Sequence, residues 1–223
     1  MSGPESRWRH LLDRALPALR YVLGPEDPSQ PPRWTLGGGT ALALWLDHRI
    51  SFDIDLFVPT VPLRHFTPAE NPHAAAISRH FQWPGHYLKY ETAEGEIDFL
   101  SPPLQTTPGY VWTTIGADAI PLETPEETIV KKIRYRSARL TARDAFDIAA
   151  VAEARPALAE ALAQFVPDAL PRAIEALDFL IGRGTDLASV IRVTETCRPL
   201  LGTALDRARR TLVAAVERAG STT

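Results

Sequence analysis

Residues 36–58 read LGGGTALALWLDHRISFDIDLFV, and this stretch decides the fold. Gly37, Gly38 and Gly39 follow a segment expected as a short strand at 33–36. They precede an apolar segment expected as a helix over Thr40–Asp47. Glycine lets the chain turn tightly and leaves backbone N–H groups accessible. With a helix N-terminus behind them, such groups favour a phosphate. Two common glycine loops fit poorly. A P-loop needs Gly-Lys-Ser/Thr and no lysine is present, while the dinucleotide fingerprint needs a third glycine where Leu42 stands.

Asp53 lies 13 residues beyond Thr40, on a strand expected over Ser51–Val58. Asp55 follows two residues later. Side chains at i and i+2 of a strand share a face, so both carboxylates project together and Ile54 points away. Adjacent carboxylates repel unless positive charge lies between them. Mg²⁺ bridges carboxylates and substrate phosphates. Two such ions can clamp the attacking and leaving oxygens of a phosphoryl or nucleotidyl transfer. An isolated Asp-x-Asp is equally compatible with a solvated strand end. Here Phe52, Ile54, Leu56 and Phe57 make the flanks apolar, and burying two unpaired acids is costly.

The combination resembles the first motif of the DNA polymerase β-type nucleotidyltransferase superfamily: an apolar segment, glycines, about a dozen residues, then Asp-x-Asp. More narrowly, GGTALAL…HRISFDIDLF is similar to the AbiEii/AbiGii toxin family, which includes the MenT toxins. Gly38, Gly39, Thr40, His48, Arg49, Ser51, Asp53, Ile54, Asp55 and Leu56 fall on that pattern. The resemblance implies an α+β fold: a polymerase β-type core with a mixed sheet, followed by an α-helical C-terminal region. It assigns Asp53 and Asp55 to metal and catalysis. It assigns Gly38, Gly39, Thr40, Arg49 and Ser51 to the nucleotide. His48 is expected to pack or hydrogen-bond.

Polymerase β-type sites often take a third acid from a neighbouring strand. Glu96-Ile97-Asp98-Phe99-Leu100 reads as such a strand, paired with His86–Tyr90 around a turn at Ala93–Gly95. Asp98 is the candidate third metal ligand or a general base toward the acceptor. Glu96 shares its face and competes with it, and an exposed acid pair is the alternative.

From Thr124 strand signals vanish and alanine-rich helical periodicity runs to Gly220. Thr124, Pro125 and Glu127 form a helix start, with a capping Thr, Pro at the first position and Glu at the third. The expected domains are residues 1–123, an α/β core with an N-terminal helix over 6–23, and residues 124–223, a helical region. Upstream, a helix is expected over Ala74–Phe81, a loop around Trp83 and Pro84, and one or two strands between Gly109 and Leu122.

Lys132, Arg136, Arg139 and Arg143 fall within about 60° of one another on a continuous helix. They would then form one basic stripe, the candidate RNA-binding surface. If the helix breaks near Ser137–Thr141, Arg143 opens a second helix. A solvated charged face is the alternative. Lys132, Arg139, Arg143, Asp144 and Asp147 also match the family's second block, which implies that Lys132 holds triphosphate oxygens. Asp147 would orient Lys132 or contact the nucleotide, and Asp144 would assist at the nucleotide. Lys131 competes with Lys132, although register favours Lys132.

The bulk numbers constrain partners. The chain has 223 residues, 45% apolar and 23% charged, an ordinary globular composition. Net charge is −3, so nucleic-acid contact requires a local basic patch. Cys197 is the lone cysteine, which fits a reducing cytoplasm and excludes an intramolecular disulfide. No signal peptide or membrane span is expected. The implied partners are a nucleoside triphosphate, Mg²⁺ or Mn²⁺, an acceptor such as a tRNA 3′ end, and a cognate antitoxin. Two other readings remain open: transfer to a protein or small molecule, and a non-catalytic nucleotide- or RNA-binding module.

Overall fold

A computed structural model describes residues 7–221. It divides into two compact units. The first comprises residues up to Ala41, Ser51–Leu104 and Tyr110–Glu123; the second comprises Leu42–Ile50, Gln105–Gly109 and the chain from Thr124 onward.

The first unit is built on a seven-stranded mixed sheet. Its strands are β1 (Thr35–Gly37), β2 (Ile54–Phe57), β3 (Phe81–Gln82), β4 (Tyr87–Glu91), β5 (Glu96–Leu100), β6 (Tyr110–Ile115) and β7 (Asp118–Glu123). Their order is β3-β4-β5-β2-β1-β7-β6. β2 runs parallel to β5 and β1 parallel to β7; the other pairs are antiparallel. Alternation sorts the central strands into two faces. Ile54, Leu56, Leu88, Tyr90, Ile97 and Phe99 are fully buried. Asp55, Lys89 and Asp98 point the other way and are half-buried.

Helix α1 (Trp8–Leu23) buries Leu11, Leu12, Ala15, Leu16 and Leu19, and it packs on β2, β5 and α3 (Pro72–Ile77). Asn71, fully buried, joins the two helices. Its side-chain oxygen accepts from His73 and Ala74 N–H to cap α3, and its amide donates to the Ala18 carbonyl of α1. The helix expected over Ala74–Phe81 is therefore corrected. It starts earlier, at the proline that follows the cap, and stops at Ile77. Phe81 is drawn into the sheet opposite Tyr90.

The second unit is helical. Helix α2 (Gly38–Leu46) begins in the first unit, and its residues from Leu42 onward belong to the second. The others are α4 (Pro125–Arg136), α5 (Ala142–Ala154), α6 (Leu158–Phe165), α7 (Leu170–Gly182) and α8 (Ala204–Gly220). Leu42, Ile133, Phe146, Leu162, Leu177 and Leu212 lie in one buried cluster. Leu42–Ile50 and Gln105–Gly109 join this unit, although the sequence leaves them with the first 123 residues. The reason lies in their polar contacts. Ile50 N–H donates to the Arg192 carbonyl, and Arg49 binds Asp147. Glu127, fully buried, accepts from the N–H groups of Gln105 and Thr106 and from the Thr106 hydroxyl.

Thr124 caps α4 as expected, accepting from Glu127 N–H. Glu127 does not complete a capping box there, because its carboxylate is taken by Gln105 and Thr106. The reciprocal box is instead found at α5, between Thr141 and Asp144.

Candidate active site

The turn at Gly38 lies directly against Asp55 of β2. Gly38 has φ +65°, a left-handed conformation that suits glycine, and a Cβ there would stand 1.8 Å from Asp55 Oδ2. Gly37 is constrained by space alone: a Cβ there would run into the Glu123 carboxylate and the Phe57 ring. The glycines thus bring the first turn of α2 against a carboxylate. Thr40, fully buried, donates its hydroxyl to the Asp53 carbonyl and so fixes the approach to β2. Ser51 is buried close by in the chain, and Gly39 is half-buried.

The strand expected over Ser51–Val58 is shorter, Ile54–Phe57. Asp53 therefore stands just before it. One carboxylate oxygen of Asp53 accepts the backbone N–H of Glu96 at 3.0 Å, continuing the β2–β5 pairing by a side chain. Asp55 stands in register with Gly37 of β1 and Asp98 of β5, and Asp98 with Lys89 of β4. One row across the sheet reads Gly37, Asp55, Asp98, Lys89. Lys89 binds Glu96 closely and lies 3.9 Å from Asp98 Oδ2.

Asp98 sits in an environment that disfavours its charged form. Burial first, and the charge of Asp55 second, push its carboxyl up to about 7. Its Oδ1 is buried and accepts no hydrogen bond. Among the described residues no three acid, His or Cys side chains are already closed around one point. The donor set nonetheless fits a hard divalent cation: oxygen ligands, mutual repulsion, and one carboxylate oxygen with no partner. Asp53, Asp55 and Asp98 are the residues that could hold it.

A second ionic cluster lies in the helical unit. Asp147 of α5 is fully buried. Arg49 grips it with two nitrogens, Nε at 2.6 Å from Oδ1 and Nη2 at 3.0 Å from Oδ2. His48 Nε2 is 2.7 Å from Oδ1, and Lys132 Nζ is 3.2 Å from Oδ2. Lys132 also lies 2.6 Å from Asp144 Oδ1. Burial opposes charge on Asp147, but Arg49 and Lys132 overcome it and hold the carboxyl well below its usual range. Asp144 is lowered for the same reason by Lys132. Burial likewise opposes the Lys132 ammonium, and the two aspartates raise its pKa.

Of the two arrangements expected for the basic residues, the helix break near Ser137–Thr141 is the one found. α4 ends at Arg136, a short 3-10 turn spans Ser137–Arg139, and α5 starts at Ala142. The countercharges missing along α4 come from α5. Lys132 is almost buried, Arg136 reaches to 3.5 Å from Asp144, and Arg139 and Arg143 are exposed on the turn and at the start of α5. Lys131 and Lys132 separate cleanly, because Lys131 lies 3.4 Å from Glu127 instead. His48 packs flat on Phe146, with centroids 5.9 Å apart.

Sequence reasoning did not find Lys89 or Glu123. Lys89 was legible in the alternation of YLKYE, which puts it on the polar face opposite EIDFL. Glu123 carried no local signal; its role follows from the parallel β1–β7 pairing and a hydrogen bond of 2.6 Å from the Thr35 hydroxyl.

A mixed α+β sheet with a glycine turn against paired strand aspartates is the arrangement of a nucleotidyltransferase. Residues 23–181 match the family model of the nucleotidyl transferase AbiEii toxin, type IV toxin–antitoxin system. The chain belongs to that family and is a nucleotidyltransferase of the toxin type, with a nucleoside triphosphate as substrate and an antitoxin as counterpart. No curated protein matches the chain. Among solved structures it is similar to MenT4, a nucleotidyltransferase toxin from Mycobacterium tuberculosis, with 17% identity over 94% of this chain and 88% of that one and a TM-score of 0.48. It is also similar to JHP933 from Helicobacter pylori, with 15% identity over 98% and 96% and a TM-score of 0.48. The family assignment rests on the matched segment and not on these superpositions. No helix among the described residues is long and apolar enough to cross a membrane.

Proposed function

We infer that this chain transfers a nucleotide from a triphosphate to the 3′ end of tRNA, with Mg²⁺ as cofactor, and so arrests translation in the cytoplasm. The observation that carries the cation is Asp98 Oδ1, a buried carboxylate oxygen without a partner, in register with Asp55. The tRNA acceptor rests on family likeness, supported by the exposed Arg136, Arg139 and Arg143.

Asp53, Asp55 and Asp98 would hold Mg²⁺, with Mn²⁺ as a substitute. Bound there, the ion would neutralise phosphate charge and polarise the reacting phosphoryl group. The N–H groups at the start of α2, at Gly38 and Gly39, favour phosphate oxygens. The acceptor oxygen bonds to the α-phosphorus, the bond from that phosphorus to the α–β bridging oxygen breaks, pyrophosphate leaves, and the proton of the acceptor hydroxyl passes to solvent water. The family likeness gives Lys132 the role of countercharge to the triphosphate. Asp144 and Asp147 keep Lys132 protonated, and Arg49 and His48 fix Asp147.

The test is incubation with total bacterial RNA and each labelled triphosphate in turn. Label should enter tRNA and be lost in Asp53→Ala and Asp55→Ala. Label in protein or in small molecules would reassign the acceptor. No turnover with any acceptor pool would leave a nucleotide-binding module.

A further inference from the structure

Two acids on β5, Glu96 and Asp98, face the same side of the sheet as Asp55, and chain direction alone does not say which completes the cation site. Lys89 distinguishes them. Its ammonium is bound tightly by Glu96, while Asp98 Oδ2 is 3.9 Å away. Asp98 Oδ1 keeps no partner. Lys89 and Glu96 therefore satisfy each other, and Asp98 is left able to ligate.

We propose that Lys89 is a positioning residue that assigns the third carboxylate: it holds Glu96 as a counter-ion and leaves Asp98 as the ligand. This rests on the cation reading of Asp53 and Asp55. The pair works in both directions. Without Lys89, Glu96 keeps its place on β5 and remains as an uncompensated charge near the cation. Without Glu96, the Lys89 ammonium is free to move the short distance to Asp98 and competes there with the cation. Lys89 is 23% exposed and comes from an adjacent strand, so that movement does not require the sheet to open.

The experiment is Mn²⁺ binding to the full chain without triphosphate, followed by electron paramagnetic resonance. Asp98→Asn should weaken binding by more than about tenfold, the loss typical of disturbing a metal site. Glu96→Gln should weaken it several-fold, because Lys89 is released. Lys89→Met should tighten it by about fivefold, the effect of removing one nearby positive charge at high effective dielectric. The deciding comparison is made in the Lys89→Met background. There Glu96→Gln should cost less than about threefold, while Asp98→Asn still costs more than about tenfold. Lys89→Arg, which can still pair with Glu96, should restore wild-type binding.

Equal losses from Glu96→Gln and Asp98→Asn in the Lys89→Met background would overturn the assignment, since Glu96 would then be a ligand in its own right. Should Lys89→Met fail to fold by circular dichroism, the uncharged Lys89→Gln carries the same comparison. Unchanged Mn²⁺ binding in Asp53→Asn and Asp55→Asn would refute the cation site itself. Loss in those two with no dependence on Lys89 would refute the positioning role alone.

Discussion

Asp55 stands opposite Asp98 across the parallel pairing of β2 and β5, and the turn at Gly38 closes the other side of Asp55. A methyl group at position 38 would overlap Asp55 Oδ2 and would also require a left-handed backbone. Gly38→Ala should therefore lower stability by about 1–2 kcal/mol from the backbone alone. Nucleotidyl transfer should fall by about 100-fold or more, because a displacement of about 1 Å at a reacting site costs that much. Urea unfolding and initial rates, measured together, separate the two effects. A variant with unchanged rate would show that Asp55 is not held by this contact.

The Asp98 carboxyl, raised to about 7 by burial and by Asp55, has a consequence for stability. An unfolded aspartate titrates near about 4. Between these values the folded chain keeps a proton that the unfolded chain has released. Metal-free stability should thus fall as pH rises from about 4 to about 7, by a total on the order of 4 kcal/mol. Asp98→Asn should flatten that limb. Chelated protein, unfolded in urea across this range, provides the measurement.

Asp147 predicts the opposite sign. Arg49 and Lys132 hold its carboxyl well below the usual range, so its contribution is present above about pH 4 and is lost as pH falls below it. Asp147→Ala would leave the buried Arg49 and Lys132 without their shared acceptor. A loss of about 3–5 kcal/mol is expected. A loss below about 1 kcal/mol, the worth of a surface pair, would mean that water reaches the cluster freely.

Glu127 supports Gln105 and Thr106 by three hydrogen bonds to one buried carboxylate. Glu127→Ala orphans those donors and should cost about 1–3 kcal/mol for each buried group left unpaired, less where water enters. Amide hydrogen exchange at Gln105 and Thr106 should accelerate well before global unfolding. Protection that persists there would show that the segment is held by other contacts.

What was legible in the sequence was local and chemically unusual. Gly37–Gly39 and Asp53–Asp55 sit within one short stretch, and glycine and paired carboxylates have few other uses there. Thr124-Pro125 marked a helix start because capping is a short-range effect. The rest depended on residues far apart in the chain. Asp147 meets Arg49 across 98 positions, and nothing in either neighbourhood announces the other. Of the two arrangements expected for the basic residues, the break near Ser137–Thr141 is the one found, because a 3-10 turn at Ser137–Arg139 changes the helical phase. The neutralising acids then arrive from the next helix. Strand lengths shifted for a related reason: pairing partners, not propensity, set where Ile54–Phe57 begins and ends.

The alternation of β2 and β5 ties the acid row to the buried apolar layer behind it. A slip of one residue along either strand would turn its aspartate into the buried layer, and would expose that strand's own apolar residues, Ile54 and Leu56 on β2 or Ile97 and Phe99 on β5, to water. A misaligned chain would lose its hydrophobic interior together with its acid row. For a chain of the toxin type, nascent or damaged copies would then be inert rather than partly potent, and harmful activity would arise all at once with the native state.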